Sequence, residues 1–394
     1  MKNRPLLIDG RSLSLSSVGL GVYSSRLIKG LLRNAQNLDF KILLPRGTDS
    51  GKLGIPSDRV VEIPIAPRLG NAYLEGIASD IQLSLFLRRH YPESLFHATN
   101  SFWSPFRPMH VIVTMHDVIP RRFPRYFGRT PLRKFMQTRH ERFAASSDLV
   151  LAVSNCTARD LTELAGIPVE KISVLHNWVG PEFTNIERNA SKSRILEIRE
   201  KLGLPDPYWL YIGGYDYRKN IEFLMQAYAK AREEAVLPPL VLAGTIPKDL
   251  CKPYCDVLGA LRDAGLSSQA VLMPGRIEEV DLPFLYAGAS LVIYPSLYEG
   301  FGYPAIEAMA VGTPVLVSDS SSLPEVARRP ECRFDPSNKK RLIQKLLAAA
   351  HNSERFCATL SEEFTEAFAI SRYLEIVKRL PIFAMGQRSE CKES

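Results

Sequence analysis

Short runs of apolar residues recur along the chain, each followed by a segment whose apolar positions have helical spacing. In the first half the runs are PLLIDG (5–10), FKILLP (40–45), RVVEIP (59–64), SLFHAT (94–99), HVIVTMHD (110–117), LVLAVS (149–154) and ISVLHN (172–177). In the second half they are WLYIGG (209–214), LVLAG (240–244), AVLMPG (270–275), SLVIYPS (290–296) and TPVLVSD (313–319). Strands that are apolar nearly throughout, instead of alternating, are buried on both faces, as in parallel sheets covered by helices. The pattern predicts an α/β protein with two doubly wound parallel-sheet domains, over residues 1–180 and 208–365. Between them, residues 181–207 read as a linker, because NWVGPEFTNIERNASKSR (177–194) loses apolar periodicity and gains polar and loop-forming residues. Residues 366–394 read as a helical tail, with the first domain as a candidate surface for it to pack against.

A chain of 394 residues suits two domains better than one core. Its 45% apolar and 23% charged content is that of an ordinary globular enzyme. No stretch approaches the ~18 consecutive apolar residues of a membrane span. Asp9 interrupts the first apolar run, so the N-terminus reads as a strand and not as a signal peptide. The expected location is therefore the cytoplasm, with the inner face of the membrane as a variant. Of six cysteines (156, 251, 255, 332, 357 and 391), only Cys251 and Cys255 are close, and no second Cys or His pair completes a zinc site. Reduced thiols are the expectation.

The net charge of +8 is uneven. Residues 1–180 carry 24 Lys+Arg against 14 Asp+Glu, and residues 181–394 carry 26 against 28. The excess peaks between Arg121 and Arg142, where eight cations meet one acid, Glu141, among Phe123, Tyr126, Phe127, Phe135 and Phe143. A solvated helix face is the plain explanation. A surface for an anionic membrane or acceptor is the alternative.

In open α/β sheets ligands bind beyond the carboxyl ends of the strands, and three second-half segments there carry chemistry. In YPSLYEGFGYPAIEAMAVGTPV (294–315), Glu299 sits in a strand-exit loop and Glu307 about one turn into a helix that Pro304 opens. Gly300 and Gly302 allow close backbone approach, and the helix N-terminus favours an anion. Singly, a loop acid and a helix-start acid are unremarkable. In YIGGYDYRKNIEFLMQAY (211–228), the adjacent cations Arg218 and Lys219 follow a glycine pair that includes Gly214, an arrangement suited to a diphosphate. Gly275-Arg276-Ile277 follows a third strand. In the first half, HVIVTMHD ends in His116-Asp117, and Gly19 and Gly21 read as a loop before an amphipathic helix.

Glu299 and Glu307, with seven residues between them in the context G-F-G-x-P-x-x-E-A-M-A-x-G-T-P-V, resemble the E-x7-E signature of the large family of retaining glycosyltransferases. The resemblance covers most of the chain, including the Arg218-Lys219 segment, the His116 strand, VSNCTARDL (153–161) and SLPEV (322–326). It implies the GT-B fold, with two Rossmann-like domains facing across a cleft. It also implies transfer of a hexose from a nucleoside-diphosphate sugar to an acceptor hydroxyl, as in mannosyltransferases of bacterial polysaccharide and lipopolysaccharide assembly, with GDP-mannose the first candidate donor.

Under that resemblance Arg218, Lys219 and the backbone N–H groups of Gly300, Phe301, Gly302 and Tyr303 meet the leaving diphosphate. Glu299 holds the sugar hydroxyls, Glu307 holds the ribose, and His116 reaches the sugar. Gly214, Arg276 and Ile277 complete the donor site, the last two near the base, and the Gly21 loop approaches donor phosphates or acceptor. Val22 stands where many members carry Arg. No cofactor and no metal are expected, since no Asp-x-Asp or His cluster closes a strand end. The expected partners are the nucleotide sugar and a saccharide or lipid-linked acceptor, not nucleic acid. Replacing Glu299 is expected to leave the fold nearly intact, because an acid in a cleft loop contributes little to packing.

Two other classes fit less well. A nicotinamide-dependent dehydrogenase would need a third glycine where Ser24 stands, and an acid closing a strand about twenty residues on. A non-catalytic binder of nucleotide sugar or nucleic acid would fit the basic, aromatic stretch but has no need of Glu299 and Glu307 beside Arg218-Lys219.

Overall fold

The computed structural model describes residues 5–14, 19–65, 69–70, 72–108, 110–127, 130–186, 191–246 and 253–381. The chain forms two compact units. One draws on residues up to 122, from 128 to 177 and from 365 onward; the other on residues 123–127 and 178–364.

The first unit is built on a parallel sheet of seven strands: β1 (Leu6–Asp9), β2 (Phe40–Pro45), β3 (Val60–Ile63), β4 (Leu95–Ala98), β5 (His110–Met115), β6 (Leu149–Ala152) and β7 (Ile172–Val174). They lie in the order β3-β2-β1-β4-β5-β6-β7. Each of the seven apolar runs supplies one strand, and β1, β4 and β6 are buried throughout. Leu7, Leu43, Phe96, Val111 and Val113 form one core cluster with Leu83 and Leu87 of the helix Ala72–His90. The helix Glu366–Lys378, last of the described elements, belongs to this unit and packs on the helix Leu20–Asn34. Contact is close at Gly30, where an added Cβ would come within 2.7 Å of Ile370 Cδ1. Arg33 Nε donates to Glu366 Oε1 (2.8 Å). That ion pair is half exposed and adds little; burial of Ile370, Tyr373 and Val377 holds the helix.

The second unit has a parallel sheet of six: β8 (Trp209–Ile212), β9 (Leu240–Ala243), β10 (Val271–Gly275), β11 (Leu291–Tyr294), β12 (Val315–Ser318) and β13 (Arg333–Phe334), in the order β10-β9-β8-β11-β12-β13. Five strands answer to the five apolar runs. The two-residue β13 is too short to leave a periodic signal.

Residues 181–207, expected to be a linker, carry the helices Pro181–Thr184 and Lys192–Leu202 and belong to the second unit. The longer helix docks largely through charge, which apolar periodicity cannot register. Lys201 Nζ (2.7 Å) and Arg194 Nη2 (3.2 Å) both reach the buried carboxylate of Asp281, while Ile198 is its buried apolar contact. Gly203, with φ 63°, ends it in the left-handed conformation typical of helix C-termini.

In each sheet the strand order turns back on itself, between β1 and β4 and between β8 and β11. Two successive connections there leave in opposite directions and open a crevice at the carboxyl ends of the strands. No described helix is long and apolar enough to cross a membrane. Cys156, Cys255, Cys332 and Cys357 are free thiols; Cys251 and Cys391 lie outside the described residues.

Candidate functional site

The β8/β11 crevice brings together the residues singled out in the second half. The chain leaves β8 through Gly213-Gly214, makes the short turn Tyr217–Lys219 and starts the helix Ile221–Glu234 at Asn220, which takes φ 57°. The Asn220 amide anchors that turn by donating to Pro295 O (3.2 Å) and Pro336 O (3.3 Å). From β11 the chain runs through Glu299 to the helix Tyr303–Ala310, with Pro304 in its first turn. Gly302 caps that helix with φ 113°, and a Cβ there would strike Leu323 Cδ2 at 2.7 Å, so the position requires glycine. The loops are tied together where Leu297 N–H donates to Arg218 O (2.6 Å). Behind them, Ser321 Oγ accepts from Glu299 N–H (2.8 Å), and Ser322 Oγ lies within bonding distance of Glu299 O and Phe301 O.

Glu299 is the centre of this arrangement and is buried, not solvated. Its Oε1 accepts from Lys219 Nζ (2.7 Å) and its Oε2 from Arg218 Nη1 (2.7 Å). Arg218 Nε lies 3.1 Å from Asp216 Oδ1, and Lys219 Nζ donates to the hydroxyl of Tyr294 (2.6 Å). Burial works to raise the Glu299 pKa, but Arg218 and Lys219 outweigh it and hold the carboxyl at about 2. Burial, helped by Arg218, pulls the Lys219 ammonium below the usual lysine range, while Glu299 opposes that shift. Glu299 is therefore ionised at neutral pH and can only accept hydrogen bonds. The expectation that its replacement would spare the fold is corrected: removing it would leave the buried Lys219 and the half-buried Arg218 without their shared partner.

Glu307 lies in the second turn of the Tyr303–Ala310 helix, buried, with Tyr286 Oη donating to its Oε2 (3.1 Å). The Phe301 and Tyr303 rings meet edge to face at 5.8 Å. Gly214 is exposed, its carbonyl accepting from the buried Tyr211 hydroxyl. Arg276, exposed, and Ile277, half-buried, follow Gly275 (φ 80°) at the end of the outermost strand β10.

In the first unit, His116 follows β5 and is half-buried. A carbonyl only accepts, so the 3.0 Å contact from Nε2 to Thr99 O places the ring proton on Nε2 and leaves Nδ1 an acceptor. Burial lowers the imidazole pKa to about 4, so the ring is neutral at pH 7. The Tyr23 ring stands edge-on to it at 4.9 Å. Asp117 Oδ1 accepts from Ile119 N–H (2.9 Å), shaping the backbone after the strand. Gly21, expected in a loop, lies in the first turn of the helix Leu20–Asn34, capped by Gly19; residues 15–18 are outside the described set.

The basic stretch also departs from expectation. Arg121 Nε donates to Glu141 Oε1 (3.0 Å), and Arg122 pairs with Asp160. Both acids are almost fully buried, so these arginines serve the fold. Arg129 lies outside the described residues.

Sequence reasoning missed Tyr294, Asp216, Tyr286, Ser321 and Ser322. Asp216 and Tyr294 sit within three and five residues of residues already singled out, and both are polar groups at strand ends. The serines contact the site only because β12 runs beside β11, which no local pattern discloses.

Residues 195–366 match the family described as Glycosyl transferases group 1, and residues 18–183 match Glycosyltransferase Family 4. The chain belongs to the glycosyltransferases. The curated relatives of this glycosyltransferase include O-antigen chain mannosyltransferase B of Escherichia coli, 33% identical over 252 residues that cover 64% of this chain and 63% of that protein. Serotype-specific mannosyltransferase WbdA of Escherichia coli is 32% identical over 252 residues, covering 63% of this chain and 30% of that one. The chain thus spans less than two thirds of the length of either. Among solved structures, sucrose-phosphate synthase from Thermosynechococcus elongatus superimposes over 100% of both chains with a TM-score of 0.67 at 18% identity. Anabaena HepE, solved in complex with UDP-glucose, gives 0.66 at 18% identity over 96% of this chain and 100% of that one. At such identities these likenesses show the shared fold.

Proposed function

We propose that this glycosyltransferase moves a hexose, mannose in the first instance, from a nucleoside-diphosphate sugar to the hydroxyl of a saccharide or lipid-linked saccharide, with retention of anomeric configuration. The observation that carries the reading is the Arg218–Glu299–Lys219 cluster, with Glu299 and Lys219 buried, at the strand-order reversal, directly before a glycine-capped helix N-terminus. The names of the Escherichia coli relatives support mannose and surface-polysaccharide assembly.

The chemistry follows from charge. As the bond from the anomeric carbon to the diphosphate breaks, negative charge grows on the leaving oxygen, and preorganised donors in a water-poor site lower that barrier. Arg218, Lys219 and the N–H groups of Gly300 to Tyr303 would supply them. Ionised Glu299 would accept from sugar hydroxyls and hold the ring in reacting geometry. Glu307 would do the same for the ribose, its carboxylate steadied by Tyr286, and Arg276-Ile277 would border the base. His116 Nδ1 would accept from a sugar hydroxyl. With no residue assigned as nucleophile, attack of the acceptor on the face that the diphosphate leaves is the mechanism proposed.

Heating the protein with a panel of nucleotide sugars tests the reading. A true donor stabilises the native state, by about 2.7 kcal/mol at a hundred times its Kd, and GDP-mannose is expected to give the largest rise in Tm. The same donors, radiolabelled, must then transfer sugar to an acceptor. A panel in which no nucleotide sugar raises Tm or donates sugar would sink the proposal.

A further inference from the structure

Two buried tyrosines lie beneath the loops that carry Lys219 and Glu299, and the proposed reaction assigns neither a part. Tyr211 ends near the carboxyl edge of β8 and Tyr294 closes β11, the adjacent strand. Their rings stack at 6.1 Å with 22° between planes. A hydroxyl buried in such a core is costly unless it is hydrogen-bonded, and phenylalanine would fill the same volume. What the hydroxyls bond is therefore informative. Tyr211 donates to Gly214 O and so holds the glycine loop. Tyr294 accepts from Lys219 Nζ at 2.6 Å.

An ammonium carries three N–H groups in tetrahedral array. Glu299 Oε1 takes one at 2.7 Å and Tyr294 a second. The third meets no protein acceptor among the described residues. A lysine held at two points has its third N–H direction fixed, whereas one held at a single point can rotate. Gly213 passes close to the ammonium: a Cβ there would stand 3.9 Å from Lys219 Nζ and only 2.9 Å from the Tyr211 hydroxyl.

We propose that Tyr294 is a positioning residue of the donor site, which together with Glu299 orients Lys219 so that its remaining N–H is presented to a nucleoside diphosphate. The inference rests on the donor-site reading and adds to it the device that aims the cation. Tyr294 acts through Lys219 and need not touch the donor.

Tyr294→Phe keeps the ring and removes the acceptor. One readout needs no donor. In protein labelled with ¹³Cε-lysine, the Lys219 signal, assigned by its absence in Lys219→Arg, is titrated by NMR. Loss of the hydroxyl is expected to lower the Lys219 pKa relative to wild type, because the ammonium loses one of its two stabilising acceptors. An unchanged titration overturns the inference. The second readout is binding of GDP and UDP by calorimetry, with Tyr228→Phe as control; Tyr228 is a buried tyrosine whose hydroxyl donates to Pro238 O, away from these loops. Tyr294→Phe is expected to weaken the preferred nucleotide about tenfold while Tyr228→Phe leaves it unchanged. Equal weakening in both variants points to general loosening and overturns the inference. Failure of both nucleotides to bind wild type overturns the donor-site reading itself, a result visible before any variant is made.

Discussion

Glu299 and Lys219 meet at 2.7 Å inside the protein, and Arg218 closes on the same carboxylate from its other oxygen. A carboxylate proposed to hold the donor sugar thus forms one unit with the two cations beside it, so changing Glu299 has two consequences. Glu299→Ala is expected to lower turnover by about 10²–10³ through loss of sugar positioning. It is also expected to destabilise the fold by about 3–5 kcal/mol, since the buried Lys219 and the half-buried Arg218 lose their shared acid. The pH dependence carries a sign. Glu299 has a folded pKa of about 2 against the usual 4.5, so its contribution is present above pH 4.5 and is lost as pH falls toward 2. The shift corresponds to about 3 kcal/mol, and Glu299→Gln is expected to flatten urea-unfolding stability across that window. Wild-type transfer by Glu299→Ala would remove its assigned role.

Glu299, Arg218 and Lys219 were legible in the sequence because each lies just past a strand, and strand ends in parallel sheets face the crevice. Twelve of the thirteen strands among the described residues were legible because buried parallel strands are apolar runs. Burial of Glu299 was not legible: it depends on β8 and β11 being neighbours, a fact of strand order that brings residues 80 positions apart into contact. The Lys192–Leu202 helix escaped for a related reason, its docking onto Asp281 being made by charges that look solvated along the chain.

His116 gives a prediction in which the physiological range is silent. Its imidazole is held at about 4, and that of the neighbouring His97 at about 3, both by burial. Neither ring should titrate near 6.5 in NMR spectra, and the His116 signal should keep the Nε2–H tautomer set by Thr99 O. A transfer rate with a step between pH 6 and 7 that disappears in His116→Ala would contradict this. For stability the sign is the reverse of a salt-bridged histidine. Both rings fold neutral, so stability falls as pH drops below 6.5 and protons bind the unfolded chain preferentially. His116→Ala should lower transfer at least about tenfold for the loss of one hydrogen bond to the sugar.

Arg218, Lys219 and the start of the Tyr303–Ala310 helix together offer fixed positive charge and N–H donors where the diphosphate is proposed to lie. That set can neutralise the leaving group without a divalent ion. Transfer is accordingly expected to survive EDTA and to gain less than about twofold from added Mg²⁺ or Mn²⁺. Strict dependence on either ion would mean that these cations do not serve the leaving group as proposed.

The basic stretch of the first unit tests whether the acceptor lies at a membrane. Arg121 and Arg122 are poor probes, since each satisfies a buried acid, Glu141 or Asp160, and neutralising them would disturb the fold. Arg133, Lys134 and Arg142 of the helix Pro131–Ser146 are exposed, and so are Leu132 and Phe135 on the same helix. Cations near an anionic surface contribute roughly 1 kcal/mol each, so three amount to about a hundredfold in vesicle affinity. Wild-type protein is expected to sediment with phosphatidylglycerol vesicles at low salt and to be released as salt rises, because screening sets in over about 10 Å at 0.1 M. Changing Arg133, Lys134 and Arg142 together to Gln is expected to lower vesicle binding by about that factor while leaving GDP binding in the second unit unchanged. Wild-type protein that ignores such vesicles at low salt would make the stretch a solvated face, and the acceptor a soluble saccharide.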